Sequence, residues 1–135
     1  MFAEIIKVIY GYEAINLLLR ITPSQVTIGI LRFYGAKIGK GVRIKSPLII
    51  HNADQNKRIY SNLTIGNDSY IGRDCFFDLL GKINIKSNVT ISHRTIFNTH
   101  TNYGKSGIDR EYTKGDIVIE KDSYLGCNVT VLESV

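Results

Sequence analysis

A hydrophobic beat of six residues limits what this chain can fold into. From Ile38 onward, large apolar side chains open hexads at Ile38, Ile44, Ile59, Ile65, Ile71, Phe77, Ile85, Ile91, Phe97, Ile119, Leu125 and Val131. A period of six matches neither the 3.6 of a helix nor the 2.0 of a strand. It does match a solenoid in which each turn is a triangle of three short strands. Taken in threes, the hexads form about four coils starting at Ile38, Ile65, Ile85 and Ile119, so residues 35–135 are expected to be mainly β, a parallel β-helix of hexapeptide repeats. Gly39, Gly66, Gly72 and Gly126 directly follow four of the starts, where a turn can use glycine's conformational freedom.

The beat breaks in three places. Fifteen residues separate Ile44 from Ile59 where six would do, which puts a nine-residue insertion near His51 to Arg58. Phe77 to Ile85 holds two residues too many, and Phe97 to Ile119 holds sixteen too many. The longest insertion begins just after His100 and contains Asn102-Tyr103-Gly104-Lys105-Ser106-Gly107, a polar loop punctuated by glycine. Loops released from a rigid scaffold are where binding and catalysis concentrate.

Residues 1–34 follow a different pattern. Ile5, Ile6, Ile9, Ile15 and Leu19 recur at helical intervals, with Gly11 as a weak point. Thr22-Pro23-Ser24-Gln25 reads as a capping box with Thr22 as N-cap and Pro23 in the first helical position, and Gly35 is placed to end that helix. This helical segment is expected to cover the first open edge of the solenoid, a reading preferred over peripheral contact with a membrane surface. Its apolar run is interrupted by Glu4, Lys7 and Glu13, so neither a spanning segment nor a signal peptide is expected here.

Composition narrows the classes further. Two cysteines, Cys75 and Cys127, are too few for a disulfide framework and lie in no metal-ligand spacing, so a reducing compartment, the cytoplasm, is expected. The net charge of +5 is spread along the chain without an aromatic-interleaved basic motif, which favours an anionic small molecule over nucleic acid.

Stacking arithmetic locates a candidate site. Equivalent hexad positions lie about 4.8 Å apart from coil to coil, so Asp78 and Asn98, which follow Phe77 and Phe97, should sit one above the other. His100 lies two residues beyond Asn98, on the same side of its strand. The three converge at the mouth of the longest loop, a plausible acceptor pocket. His93 falls around the corner and is expected at the surface, and Lys105 is expected to be a solvated loop residue.

The hexads Ile65-Gly66-Asn67-Asp68-Ser69-Tyr70 and Ile71-Gly72-Arg73-Asp74-Cys75-Phe76, then Thr99-His100-Thr101, then Ser123-Tyr124-Leu125-Gly126-Cys127-Asn128-Val129, resemble the hexapeptide-repeat acyltransferases. The likeness is strongest to bacterial sugar O-acetyltransferases and serine acetyltransferases, and it covers about residue 25 to Val135. It implies a left-handed β-helix, a homotrimer, and acetyl-coenzyme A bound in a groove between subunits. It assigns the catalytic base, which takes the acceptor's hydroxyl proton, to His100. It assigns substrate binding, or orientation of the ring, to Asp78 and Asn98. Gly126 falls in the segment resembling the coenzyme-contacting coil, and Tyr124 stands where relatives often carry tryptophan and would pack on the pantetheine arm.

The expected activity is therefore transfer of an acetyl group to a hydroxyl of a small acceptor, a sugar of a surface polysaccharide or its precursor, with serine as the alternative acceptor. Some relatives of this fold are metal-dependent hydratases that hold zinc through three histidines. Here His93 and His100 belong to different faces and His51 lies in the first insertion, so no metal is expected. A flat threonine array is also disfavoured, because Thr64, Thr90 and Thr130 fall on three different faces. Relatives continue for further coils beyond the segment that here reads Val131-Leu132-Glu133-Ser134-Val135, often with proline-glycine at the place of Glu133-Ser134. The resemblance thus implies that these residues alone lack part of the coenzyme groove, as a truncated chain or a fragment with little activity would.

Overall fold

A computed structural model describes residues 2–51, 58–101 and 113–135. Three helices precede the strands: α1 (Phe2–Tyr10), α2 (Tyr12–Leu18) and α3 (Ser24–Phe33). Gly11 divides the first two with φ +80°, a left-handed conformation open to glycine. Phe2, Ile5 and Val8 of α1 are exposed, and among the described residues no helix is long and apolar enough to cross a membrane. The expected capping box does not form. Pro23 occupies the N-cap with an extended backbone, and the Thr22 hydroxyl instead meets that of Thr27 at 2.7 Å. The C-terminal end is as expected. Gly35 has φ +109°, its N–H donates to Arg32 O, and Ala36 N–H donates to Leu31 O, the paired bonds of a Schellman stop.

The remainder forms three parallel sheets of four strands stacked in register, the arrangement of a parallel β-helix. The first sheet holds β1 (Lys37–Ile38), β4 (Leu63–Ile65), β7 (Ile83–Ile85) and β12 (Ile117–Ile119), and the second holds β2 (Arg43–Ile44), β5 (Tyr70–Ile71), β8 (Thr90–Ile91) and β13 (Tyr124–Leu125). The third holds β3 (Leu48–His51), β6 (Cys75–Asp78), β9 (Ile96–Phe97) and β14 (Thr130–Val131). Hexad starts meet their equivalents directly, as Ile65 meets Ile85, Ile71 meets Ile91 and Phe77 meets Phe97. Their side chains fill the prism, where the Phe77 and Phe97 rings stack at 4.8 Å.

One hexad start differs from the expected set. Ile50, not Ile59, pairs with Phe77, and the pairing of β3 with β6 runs from Leu48 opposite Cys75 to His51 opposite Asp78. Ile59 opens a short 3-10 helix, Ile59–Asn62, that leads into β4. The nine-residue excess therefore lies between Ile50 and Ile65, on the far side of the third strand. Most of that insertion, residues 52–57, falls outside the described residues, as do Asn102 to Gly107 of the longest loop, Lys105 among them.

Most corners of the solenoid carry a left-handed residue three places after the hexad start. Asp68, Asp74, Asn88, Arg94, Asp122, Asn128 and Ser134 all have φ between 56° and 65°, and Gly41 has φ +70°. Five of those seven non-glycine residues are Asp or Asn, the side chains that tolerate this region best. The glycines directly after the starts have a different reason from the one expected. None of Gly39, Gly66, Gly72 and Gly126 has a positive φ. A Cβ on Gly66 would lie 2.5 Å from Ser87 N, and one on Gly72 would lie 2.7 Å from His93 N, so the backbone of the next coil passes too close for a side chain.

The first coil is met by the helices. Arg32 donates through Nη2 to Ile38 O at 2.8 Å and to Gly39 O at 2.8 Å. Ile44 N–H donates to Ser24 Oγ, and Leu48 N–H to Leu19 O. These contacts satisfy backbone groups that a bare first coil would leave open.

The glycine geometry gives a test. Gly66→Ala and Gly72→Ala should each destabilise the protein by about 1–3 kcal/mol through overpacking. Gly126→Ala, whose Cβ meets nothing within 4 Å, should stay within about 0.5 kcal/mol of the parent. Thermal melts of the three variants measure this, and equal losses would contradict the stacking account.

Candidate active site

All three interruptions of the beat leave from the same corner, the exit of the third sheet. In that sheet the residue after each inward side chain points out of the prism, which makes a ladder of His51, Asp78 and Asn98 after Ile50, Phe77 and Phe97. Asp78 and Asn98 thus stand one above the other, as the stacking arithmetic requires, and His51 joins them from the coil before. The chain then departs from the hexad pattern. After β6 the two extra residues form a bulge through Leu79 and Leu80, which Asn62 holds by donating from Nδ2 to Leu79 O at 2.8 Å. After β9, a short antiparallel ladder of β10 (His100–Thr101) and β11 (Thr113–Lys114) closes the base of the longest loop, with His100 opposite Lys114.

Asp78 lies on the outer side of the sheet and is nevertheless 0% exposed. A carboxylate is costly to bury unless hydrogen bonds replace its water. Leu80 N–H donates to Oδ1 at 3.2 Å, and Thr99 N–H donates to Oδ2 at 2.9 Å. The Thr99 hydroxyl lies 2.9 Å from Oδ2 and 3.0 Å from the Asp78 carbonyl, while accepting Gly81 N–H at 2.8 Å. The last partner is the ring of His100, whose Nδ1 is 2.5 Å from Oδ2.

With backbone donors aimed at both oxygens, Asp78 acts as the acceptor, so the proton of this contact belongs on Nδ1 of His100. In the neutral ring Nε2 then carries the lone pair. An imidazole held in this way is oriented for proton transfer at Nε2, and its protonated form has a buried carboxylate beside it. Sequence alone left open whether Asp78 orients the ring or binds the acceptor. Its contacts describe orientation of the ring by Oδ2 and support of the bulge by Oδ1.

The other members of the site differ in exposure. His100 retains 14% of its side-chain exposure. Asn98 is half-buried and donates its N–H to Val131 O. His51 is exposed, and its ring lies parallel to that of His100 at an interplanar angle of 7° and a centroid distance of 6.0 Å, with Phe76 5.7 Å away. Hexad counting missed His51 because it took Ile59 as the inward residue. Counting from Ile50 puts His51 in the position of Asp78 and Asn98. Thr99 was likewise unassigned, and its role comes from the turn after Phe97, which no periodicity encodes.

Tyr124 and Gly126 are not part of this cluster. Both belong to the second-sheet side of the fourth coil, where Tyr124 is 71% exposed and its hydroxyl accepts a bond from Ser92 Oγ at 3.2 Å. Gly126 has open space where a Cβ would stand. His93 is exposed on the second side, away from His100. Among the described residues no three His, Cys, Asp or Glu side chains group as a metal site. Neither a protein-family model nor a curated protein matches the sequence.

Thr99→Val tests how the carboxylate is held. It removes one donor from Asp78 and the acceptor of Gly81 N–H, so stability should fall by about 1–3 kcal/mol. Urea unfolding would show this as a lower midpoint at unchanged slope. An unchanged midpoint would contradict the assigned network.

Proposed function

We propose that the protein is an acetyl-coenzyme A-dependent O-acetyltransferase acting on a hydroxyl of a small acceptor, a sugar of a surface polysaccharide or its precursor. The single observation that carries this reading is the bond from His100 Nδ1 to the buried carboxylate of Asp78 at the corner where the solenoid releases its longest loop. The hexad motifs resembling the hexapeptide-repeat acyltransferases supply the reaction class, and with it a left-handed coil and a homotrimer with sites between subunits.

In this reading His100 Nε2 takes the proton of the acceptor hydroxyl as its oxygen attacks the thioester carbonyl. Collapse of the tetrahedral adduct breaks the C–S bond, and the imidazolium returns the proton to the departing thiolate. Asp78 holds the ring in the required tautomer and balances the imidazolium charge. Asn98, one register step above Asp78, binds the acceptor. Tyr124 and Gly126, in the segment that resembles the coenzyme-contacting coil, receive the coenzyme arm along the fourth coil. Acetyl-coenzyme A supplies the activated acyl group.

Thiol release from acetyl-coenzyme A, measured against a panel of hexoses, amino sugars and serine, tests the reading. His100→Ala should lower kcat by about 10²–10⁴-fold, the range of general acid–base catalysis. Asp78→Asn should lower kcat while leaving KM for acetyl-coenzyme A near its parent value, because the ring loses its orientation and charge partner. Turnover that survives His100→Ala would exclude His100 as the base.

A further inference from the structure

We infer that His51 is a second catalytic imidazole of this site, donating an N–H to the carbonyl oxygen of the acyl group as negative charge develops there. The inference rests on the acyl-transfer reading above and adds to it the group that stabilises the oxyanion.

Acyl transfer creates two charges at once, a positive one on the base and a negative one on the carbonyl oxygen. The buried part of the site answers only the first. Asp78 faces His100, and the backbone donors around it are committed to that network: Leu80 N–H and Thr99 N–H to the carboxylate, Gly81 N–H to the Thr99 hydroxyl. Among the described residues, an imidazole donor outside this network stands at the rim.

His51 stands at that rim. Its Cα is in register with Asp78, its ring is parallel to that of His100, and 6.0 Å separates the two centroids. Imidazole nitrogens bond in the plane of the ring, so a reacting centre at the open edge of the two parallel planes can meet one ring through its hydroxyl oxygen and the other through its carbonyl oxygen. Phe76 backs the His51 ring at 5.7 Å, and β3 is tied at this point by Leu79 N–H to His51 O. His51 is exposed whereas His100 keeps 14% of its side-chain exposure, so His51 is the histidine of this pair more open to a ligand. Either neutral tautomer of an imidazole carries one N–H, so the ring always has a proton to offer.

The step balances without any further reagent. As the acceptor oxygen bonds to the carbonyl carbon, its proton passes to His100 Nε2 and the carbonyl π pair moves onto oxygen, where the His51 N–H receives it. When the C–S bond breaks, the carbonyl re-forms, the His51 bond weakens and sulfur takes the proton from His100.

Two substitutions separate this role from a structural one. His51→Phe keeps a ring to pack on Phe76 and removes the N–H, whereas His51→Gln keeps an N–H donor. Steady-state thiol release from acetyl-coenzyme A, using the full chain and the acceptor that responds best in the panel, should show kcat for His51→Phe reduced about a hundredfold with both KM values little changed. His51→Gln should recover a measurable part of that loss, and the melts of both variants should match the parent. Parent-like kcat in His51→Phe, a loss confined to KM, or a Gln variant no better than Phe would each overturn the inference. Turnover that needs His100 but not His51 overturns the role of His51 alone. Absence of any His100-dependent turnover in the parent overturns the acyl-transfer reading and this role with it.

Discussion

The structure depends on one constraint: each coil must lie on the next at strand spacing, with the same side chain position meeting itself from coil to coil. That constraint makes the apolar hexad starts a continuous core, capped at one end by Arg32, Ser24 and Leu19. It forbids a Cβ on Gly66 and Gly72, where the next backbone passes. It also fixes where each corner turns, through left-handed residues such as Asp68, Asp74, Asn88 and Asp122. A solenoid built this way tolerates extra residues only where they can leave a corner without shifting the strands.

All three insertions use one corner, the exit of the third sheet, and the candidate site follows from that. His51 and Asp78 close the regular pairing of β3 and β6, and His100 follows the same sheet exit in the next coil. The departures bring together what the regular prism would keep apart. Asp78 would be an ordinary outward residue in a plain hexad. The bulge after it and the antiparallel ladder after Thr99 bury it and direct the His100 ring onto it. A rigid ladder supplies the spacing, and the irregular segments supply the enclosure.

Much of this was legible in the sequence. The hexads gave the three sheets and four coils, Gly11 and Gly35 marked helix boundaries, and the positions after Phe77 and Phe97 put Asp78 and Asn98 in one ladder. The first coil misled because Ile50 is six after Ile44 and Ile59 is six before Ile65, so both satisfy the beat. Burial at alternate positions decides between them. Leu48 and Ile50 are buried with Ile49 half-buried between them, whereas Ile59 and Tyr60 are buried in succession, as in a helical turn and not a strand. The Asp and Asn residues three places after five of the hexad starts, Asp68, Asp74, Asn88, Asp122 and Asn128, form a second, sparser turn signal. Thr99 had no such signal, because its bonds to Asp78 and Gly81 arise from two irregular segments that meet only after folding.

The central claim is that a buried carboxylate fixes the tautomer of His100. Long-range ¹H–¹⁵N correlation of the histidine side chains, recorded with His100 in its neutral form, measures this directly. The account requires a single pattern for His100 in which Nδ1 carries the proton and Nε2 has the shift of an unprotonated nitrogen. A proton on Nε2, or the averaged shifts of a ring exchanging between tautomers, would contradict it.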